Sequence, residues 1–348
     1  MLIGRSAPWI RDAEANDPRF SGPPLNAVER DVSGHRTYSL ARINAYRDLI
    51  GTRRRKPDGA RTIRCAVSNF KGGAGKTTTA VHLAQKCALE GYRVLMIDLD
   101  PQATTTLLFG LTADLEIRPE QTIGDCLVEN PGEVSSVIMR SYFTGIDLIP
   151  ANLGLQDAEM LLANPSANLE RDIGLNSIER LKAALDSVED DYDIVVMDCG
   201  PNLGMLTLNA IHAASGLLIP MQAMMPDFGS AILYLESMAA LMANPRFGHP
   251  LEFLRVVITR HTGSAEARKA EAMIRHSFDP YVLTPYTLQT VEVERASNDV
   301  GSIYDIQKTR GSPEAYRRAL SSFDDVNNAM IEVFEGVWAA QVGRQEAV

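Results

Sequence analysis

The segment Lys71-Gly-Gly-Ala-Gly-Lys-Thr-Thr78 constrains the fold of this chain more than any other feature of its sequence. The apolar residues 63–68 before it predict a short buried strand, and residues 78–90 after it carry apolar side chains at helical spacing. Strand, glycine-rich turn and helix are the context in which such a loop binds nucleotide phosphates. We therefore expect a phosphate-binding loop here.

Each residue type in this loop has a physical role. The glycines let the backbone turn N–H groups toward phosphate oxygens, and the following helix adds its N-terminal dipole. Lys76 can bridge the β- and γ-phosphates, and the Thr77 hydroxyl can bind Mg²⁺. Phe70 stands where the standard motif has glycine and Lys71 is a second lysine, so the sequence matches the deviant Walker A form. The predicted nucleotide contacts in the loop are Gly72, Gly73, Ala74, Gly75, Lys76, Thr77 and Thr78.

Acidic residues follow two further apolar runs that predict strands. Residues 93–97 lead into Asp98 and Asp100, and residues 194–197 lead into Asp198. The carboxyl ends of parallel strands line the crevice in which α/β sheets bind ligands. We assign Asp198 to hold Mg²⁺ through water, Asp98 to touch the hydrated metal, and Asp100 to orient or deprotonate the attacking water. A turn residue at a strand end is the alternative for any one of these acids alone.

Strands and helices alternate along the rest of the chain. Further strands are predicted at 146–150, 216–220 and 254–259, with helices near 171–188, 203–214, 229–243 and 264–277. This alternation predicts an α/β fold with a doubly wound, mainly parallel sheet. We expect a small N-terminal unit at 1–50, a basic linker at 51–61, and a P-loop ATPase domain at 62–348 that ends in a long helix.

Four segments carry a family resemblance. They are Lys71 to Thr79, Asp98-Leu-Asp-Pro-Gln, Asp198-Cys-Gly-Pro-Asn-Leu-Gly and Leu206-Thr-Leu-Asn-Ala. Together they resemble the ParA/MinD superfamily, in particular the ParA-type DNA-partition ATPases and, among these, the plasmid RepA-type ParA proteins. The resemblance runs from about residue 60 to the C-terminus. One departure is Gly200, where the family usually has proline.

The resemblance implies a mechanism. ATP with Mg²⁺ is held between two subunits of a homodimer, and Lys71 reaches across to the phosphates of the partner subunit, much as an arginine finger does. Lys71 and Asp100 are then the catalytic residues, and Asn209 is a further nucleotide contact. Weak ATP hydrolysis serves as a switch, stimulated by a ParB-type adaptor bound at a centromere. Such a dimer binds DNA non-specifically and associates with the nucleoid in the cytoplasm.

The formal net charge of −10 does not decide whether the chain binds DNA, because binding depends on a local basic patch. Near the C-terminus the candidate DNA contacts are Lys308, Arg310, Arg317 and Arg318. Residues 53–56 and the group Arg268, Lys269 and Arg275 are further basic stretches, and a solvated surface is the alternative for each.

The N-terminal unit resembles a winged helix-turn-helix that lacks its first helix. Residues 2–14 predict the turn and second helix, with Ser6 as N-cap, and residues 38–50 predict a supporting helix after a Gly/Pro-rich wing. Arg5 and Arg11 are then the candidates for contacts in a DNA groove, and repression of the protein's own operon is one role open to this unit. We expect either an incomplete unit or a partner that supplies the missing surface. A dimerisation arm that reads no bases is the alternative.

Other features limit the function. No apolar run approaches the roughly 20 residues that span a bilayer, and the N-terminus lacks the pattern of a signal peptide, so we expect a cytoplasmic protein. Cys65, Cys87, Cys126 and Cys199 lack metal-ligand spacing, which favours buried thiols. The apolar face of the C-terminal helix at 313–340 predicts packing on the sheet or a partner, because acidic residues on its polar face disfavour anionic membranes.

Two alternatives to a partition ATPase remain open at this stage. One is a MinD-like or cargo-positioning ATPase that uses the same switch without centromere DNA. The other is a metabolic P-loop enzyme similar to dethiobiotin synthetase, which Lys71 and the segment that begins at Asp98 disfavour.

Overall fold

A computed structural model describes residues 7–20, 29–30, 34, 36–164, 176–243, 250–306 and 311–346. The predicted α/β fold is confirmed, since an eight-stranded, mostly parallel sheet is covered by helices on both faces. The strands are β1 (Glu29–Arg30), β2 (Arg36–Thr37), β3 (Ile63–Val67), β4 (Val94–Leu99), β5 (Met139–Arg140), β6 (Ile146–Ile149), β7 (Ile194–Cys199), β8 (Gly216–Gln222), β9 (Phe253–His261) and β10 (Val282–Leu288). The helices are α1 (Ala7–Asn16), α2 (Leu40–Leu49), α3 (Lys76–Glu90), α4 (Thr104–Leu108), α5 (Ala113–Glu116), α6 (Ile123–Val128), α7 (Leu155–Ala163), α8 (Arg180–Asp186), α9 (Met205–Ala213), α10 (Met225–Met242), α11 (Ala265–Phe278), α12 (Val291–Asn298) and α13 (Pro313–Glu346).

The order of strands in the large sheet brings the predicted site together. The order is β10-β9-β8-β3-β7-β4-β6-β5, and β5 alone among these strands runs antiparallel to its neighbour. Strands β3, β7 and β4 lie at the centre and are buried along their whole length. Since parallel strands covered on both faces read as continuous apolar runs, these three were visible in the sequence. Their carboxyl ends lie side by side.

Each face of the sheet has its own apolar core. Helices α6, α8, α9, α10 and α11 contribute to the core on one face, and α3 and α13 contribute to the core on the other. The apolar residues predicted along α13 are all buried: Phe323, Val326, Met330, Phe334, Val337 and Trp338. The predicted packing of the C-terminal helix on the sheet is therefore confirmed. The four cysteines are buried and free, as expected.

No helix in the described part of the chain combines the length and the apolar character needed to cross a membrane.

The edge strand β10 was not predicted from the sequence. It contains Pro285 and two threonines, Thr284 and Thr287, and proline is tolerated in a strand at the edge of a sheet. The guanidinium of Arg275, on α11, donates to the carbonyl oxygens of Leu283 and Thr284 at 2.9 and 2.8 Å. Arg275 was a candidate for DNA binding, but these contacts show that it covers carbonyl groups of the edge strand.

The N-terminal unit contains a helix, a two-stranded antiparallel sheet and a second helix, namely α1, β1 with β2, and α2. Ile10 and Phe20 are buried in its small core, and the rings of Phe20 and Tyr46 lie 4.9 Å apart. Arg11 is exposed on α1. The predicted N-cap Ser6 and the candidate Arg5 lie outside the described residues.

Arginines in and before the linker contact the C-terminal end of α3. Arg47 donates to the carbonyl oxygen of Leu89 at 2.8 Å, and Arg53 and Arg55 donate to that of Gly91 at 3.0 and 2.6 Å. The C-terminus of a helix carries partial negative charge and unpaired carbonyl groups, which cationic side chains stabilise. The linker is therefore bound to the large domain. These internal contacts of its arginines argue against its interpretation as a DNA-binding patch.

The turn after α12 contains a strained residue. Val300 has φ of 59°, and the bonds Val300 N–H to Ser297 O and Gly301 N–H to Ala296 O close a Schellman motif. Glycine is the usual residue at this position, because a β-branched side chain is disfavoured in the left-handed region.

We expect Val300→Gly to raise the free energy of unfolding by about 1 kcal/mol, since the strain exceeds the extra chain entropy of glycine. Chemical denaturation measures the change. Val300→Ala is the matched control, because it removes most of the side chain but keeps a Cβ at positive φ. A Val300→Gly protein that is no more stable than Val300→Ala would contradict this explanation.

His82 connects α3 to the C-terminal part of the chain. Its Nδ1 lies 2.6 Å from Thr78 O, its Nε2 accepts from Ile303 N–H at 3.3 Å, and its ring stacks on Phe323 at 4.3 Å. Burial lowers the pKa of His82 to about 4, against a smaller opposing effect of the Thr78 carbonyl and the Asp305 charge.

Because the folded state disfavours protonated His82, its contribution to stability is complete above pH 6.5 and is lost as the pH falls toward 4. We expect the free energy of unfolding of the unmodified protein to fall by up to about 3 kcal/mol more over this range than that of His82→Gln. Denaturation curves measured at each pH check this. Two parallel stability profiles would show that His82 does not titrate as described.

Candidate functional site

The loop between β3 and α3 has the backbone shape that its glycines predict. Gly73 and Gly75 have φ of 76° and 89°, in the left-handed region that residues with a Cβ seldom adopt. Gly75 directly precedes α3, so the unpaired amides at the start of α3 face the loop. A Cβ added at Gly72 or Gly73 would meet no described atom within 4 Å, so there is open space beside the loop.

Side chains from β8 and β9 hold the loop from outside. Gln222 donates to the carbonyl oxygen of Gly73 at 2.5 Å, and the Thr259 hydroxyl donates to that of Ala74 at 2.8 Å. A trans peptide directs its C=O and N–H to opposite sides. The N–H groups of Ala74 and Gly75 therefore point away from these strands and into the loop, where an anion can accept from them.

The two lysines of the loop differ in exposure. Lys76 is only 7% exposed, and its Nζ donates to the carbonyl oxygen of Lys71 at 3.2 Å, whereas Lys71 is partly exposed. Burial lowers the pKa of Lys76, and the charges of Asp198 and Asp100 act in the opposite direction. A buried ammonium group beside N–H groups that point into the loop fits a ligand that carries several negative charges.

Asp98 and Asp198 are register partners on the adjacent strands β4 and β7, and both are buried. Asp98 is bonded through both oxygens. Its Oδ1 accepts from Asp100 N–H at 3.2 Å, and its Oδ2 accepts from the N–H and the hydroxyl of Thr106 at 2.8 and 2.7 Å. The assignment of Asp98 as a contact to hydrated metal stays a prediction, because its oxygens already bond to the protein in this conformation.

The two oxygens of Asp198 differ in their hydrogen bonds. Its Oδ2 accepts from the Thr105 hydroxyl at 2.8 Å, whereas its Oδ1 is buried and has no hydrogen-bond partner among the described residues. A buried carboxylate oxygen without a partner is costly, and it fits the role of accepting a hydrogen bond from metal-bound water. Among the three acids, Asp198 therefore has the geometry best suited to the predicted metal site.

The electrostatics of the two acids reflect their burial. Burial raises the pKa of Asp98, and the neighbouring charge of Asp198 raises it further. Burial also raises the pKa of Asp198, while the hydroxyls of Thr77 and Thr105 and the Lys76 ammonium lower it. The site thus concentrates negative charge that a divalent cation would neutralise.

Asp100 follows β4, at the same end of the sheet as Asp98 and Asp198. Its Oδ1 accepts from Gln102 N–H at 2.9 Å, and its carbonyl oxygen accepts from Ala103 N–H at 2.8 Å. A Cβ added at Gly200, in the segment after Asp198, would lie 3.8 Å from the Asp100 carboxyl carbon. The turn that carries Asp100 and the segment that follows Asp198 are therefore neighbours.

Asn209, the further predicted nucleotide contact, is engaged within the protein. It is fully buried on α9, where its Nδ2 donates to Ser177 O and Met205 O at 2.8 Å and its Oδ1 accepts from Leu181 N–H at 3.1 Å. In this conformation its amide joins α8 and α9. The assignment of Asn209 as a nucleotide contact stays a prediction.

The structure adds residues that the sequence analysis missed. Thr105 and Thr106 bond the two buried acids, while Gln222 and Thr259 bond the loop. A run of three threonines after the first acidic segment was the available signal for the first pair, but a threonine is as common in turns as in sites.

The candidate DNA contacts lie away from the loop in the chain. Arg317 and Arg318 are exposed on the first turns of α13, and Arg11 is exposed on α1. Lys308 and Arg310 lie outside the described residues.

Comparison with known proteins is consistent with this site. A family model described as an AAA domain matches residues 61–231. A putative replication protein A from Sinorhizobium fredii is 34% identical over 326 residues, which cover 89% of this chain and 79% of that protein. Protein SopA from Escherichia coli K12 is 31% identical over 340 residues, which cover 96% of this chain and 85% of SopA.

A solved structure with the same kind of fold is the cobyrinic acid a,c-diamide synthase from Mycobacterium smegmatis with a bound ATP analog and magnesium. It is 29% identical, with a TM-score of 0.56, and the match covers 66% of this chain and 88% of the synthase. The relatives above 30% identity extend over most of both sequences. This chain therefore belongs to the ParA/MinD superfamily of P-loop ATPases, as a partition ATPase of the plasmid type.

Proposed function

We propose that this protein is an ATP-driven switch for DNA partition. It binds ATP with Mg²⁺, forms a homodimer around the nucleotide, binds DNA non-specifically in that state, and returns to monomers after hydrolysis that a ParB-type adaptor stimulates. Its intrinsic turnover is weak. One observation carries the proposal. An open phosphate loop, Asp198 and Asp100 lie together at the carboxyl ends of the central strands.

The residues of the loop fit a nucleoside triphosphate. The N–H groups of Ala74 and Gly75 and the buried Lys76 provide donors for phosphate oxygens. The Thr77 hydroxyl and, through water, Asp198 Oδ1 would hold Mg²⁺. In such sites the metal neutralises charge on the β- and γ-phosphates.

Asp100 is the candidate for orienting the attacking water. Its Oδ1 is fixed by Gln102, so the carboxylate is held in one orientation beside the segment after Asp198. Lys71 is the candidate for the cation supplied to the partner subunit. It begins the loop and is partly exposed, unlike Lys76.

A DNA-bound dimer would associate with the nucleoid in the cytoplasm. The exposed Arg317 and Arg318 on α13 and Arg11 on α1 are the described candidates for phosphate contacts. Arg11 belongs to the winged-helix-like unit, which would recognise operator DNA and repress the protein's own operon.

The first test separates the roles of Lys71 and Asp100. We expect Lys71→Ala to bind ATP but to stay monomeric, because it lacks the amine that reaches the partner's phosphates. Asp100→Ala should bind ATP and accumulate as a dimer, because only the attacking water is disturbed. Nucleotide binding and light scattering with ATP or ADP measure both effects.

Lys76→Ala is the control for that test, since loss of the main phosphate cation should abolish nucleotide binding. Normal ATP-dependent dimerisation of Lys71→Ala would contradict the contact across the interface. Unchanged turnover by Asp100→Ala would contradict its catalytic role.

The second test addresses DNA. We expect the protein to retard random DNA with ATP and to lose this activity with ADP or without nucleotide. Replacing both Arg317 and Arg318 with Ala should weaken binding and lower the slope of log affinity against log salt by about 2, since each phosphate contact contributes about 1.

The matched control for the DNA test is Arg140→Ala, because Arg140 is 91% exposed but lies on β5 at the far edge of the sheet. Equal losses of DNA affinity in Arg140→Ala and in the double variant would contradict the assignment of DNA contacts to α13. A protein that binds ATP but no DNA in any nucleotide state would instead favour a MinD-like or cargo-positioning ATPase.

A further inference from the structure

The short helix α4 holds both buried acids through neighbouring threonines. Thr105 and Thr106 are fully buried, and their hydroxyls donate to different carboxylates: Thr105 to Asp198 Oδ2 at 2.8 Å and Thr106 to Asp98 Oδ2 at 2.7 Å. Consecutive residues of one helical turn therefore bond to the ends of two adjacent strands.

The direction of the Thr106 hydroxyl is fixed by a second contact. Its Oγ1 accepts from Ala151 N–H at 2.8 Å, just beyond β6, so its proton is directed to Asp98. Asp98 also accepts from two backbone N–H groups. All of these bonds join protein groups to one another, so Thr106 and Asp98 form a closed structural connection.

The Thr105 contact has a different consequence. It occupies Oδ2 of Asp198 and leaves Oδ1 as the oxygen without a partner among the described residues. Oδ1 is the atom assigned above to metal-bound water. Because a carboxylate turns about its terminal torsion over a broad range, the directional hydrogen bond from Thr105 to Oδ2 restricts where Oδ1 points, and the Thr77 hydroxyl also acts on this carboxylate.

The residue before α4 has an uncommon backbone conformation. Ala103 precedes the helix with φ of 53°, in the left-handed region that disfavours residues with a Cβ. It is also buried. A strained residue that persists is held by its surroundings, and here it lies between Asp100 and the two threonines.

We propose that Thr105 is a positioning residue that orients Asp198 toward the hydrated Mg²⁺, whereas Thr106 has a structural role through Asp98. This inference rests on the proposed function, because it assumes that Asp198 contributes to a metal site for ATP. It assigns different roles to two chemically identical neighbours, and this difference can be tested.

The experiment measures the affinity of a fluorescent ATP analogue in EDTA and in saturating Mg²⁺, for the unmodified protein and its variants. Thr105→Val removes the hydroxyl with little change of shape. We expect it to bind the analogue normally in EDTA but to lose about tenfold of the increase in affinity that Mg²⁺ produces. Thr105→Ser keeps the hydroxyl and should restore that increase.

Thr106→Val is the matched control. It should lower the thermal midpoint of the metal-free protein and reduce the increase with Mg²⁺ much less than Thr105→Val does, because Asp98 keeps its bonds to two backbone N–H groups. If Thr105→Val does not fold, as judged by its circular dichroism in EDTA, Thr105→Ala carries the same expectation and replaces it.

Three results would overturn the proposal. The first is a Thr105→Val protein whose affinity rises with Mg²⁺ as much as that of the unmodified protein. The second is a Thr105→Val protein that loses the same affinity in EDTA as in Mg²⁺. The third is a Thr105→Ser protein that behaves like Thr105→Val. Failure of the proposed function is distinguishable, because the unmodified protein would then show no ATP binding or no effect of Mg²⁺.

Discussion

Two carboxyl groups buried next to each other are the constraint on which the rest of this site depends. Asp98 and Asp198 end adjacent central strands, and neither is open to solvent. Burial and mutual repulsion both disfavour their charged forms. The surrounding groups offset this cost with hydroxyl donors from α4 and with the Lys76 ammonium. The two acids, the two threonines of α4 and the lysine of the loop therefore act together as one electrostatic unit.

The parts of the molecule that depend on local pattern are predictable from the sequence. The apolar runs of β3, β4 and β7 are continuous because both faces of the sheet are covered, and this made the strands recognisable. Glycines with positive φ, such as Gly73 and Gly75, are required by the loop itself, so the loop could be located before any fold was known. The parallel order of the strands then brought the acids to the loop.

What could not be predicted depends on partners that are distant in the chain. Asn209 lies in a segment that resembles the family, but its amide is used between two helices. Thr105 looks like any turn residue until β7 is placed beside α4. The same holds for the edge strand β10, whose proline and threonines give no apolar run, and which is a strand because β9 pairs with it.

The helix α3 joins features that the sequence left separate. The phosphate loop precedes its first residue, and the carbonyl groups at its last turn and just beyond accept from Arg47, Arg53 and Arg55. Its 15 residues make a rod about 22 Å long. A helix of this length moves largely as one body. A small rotation at the loop would therefore displace the opposite end of α3, together with the arginines of α2 and the linker that bind to it.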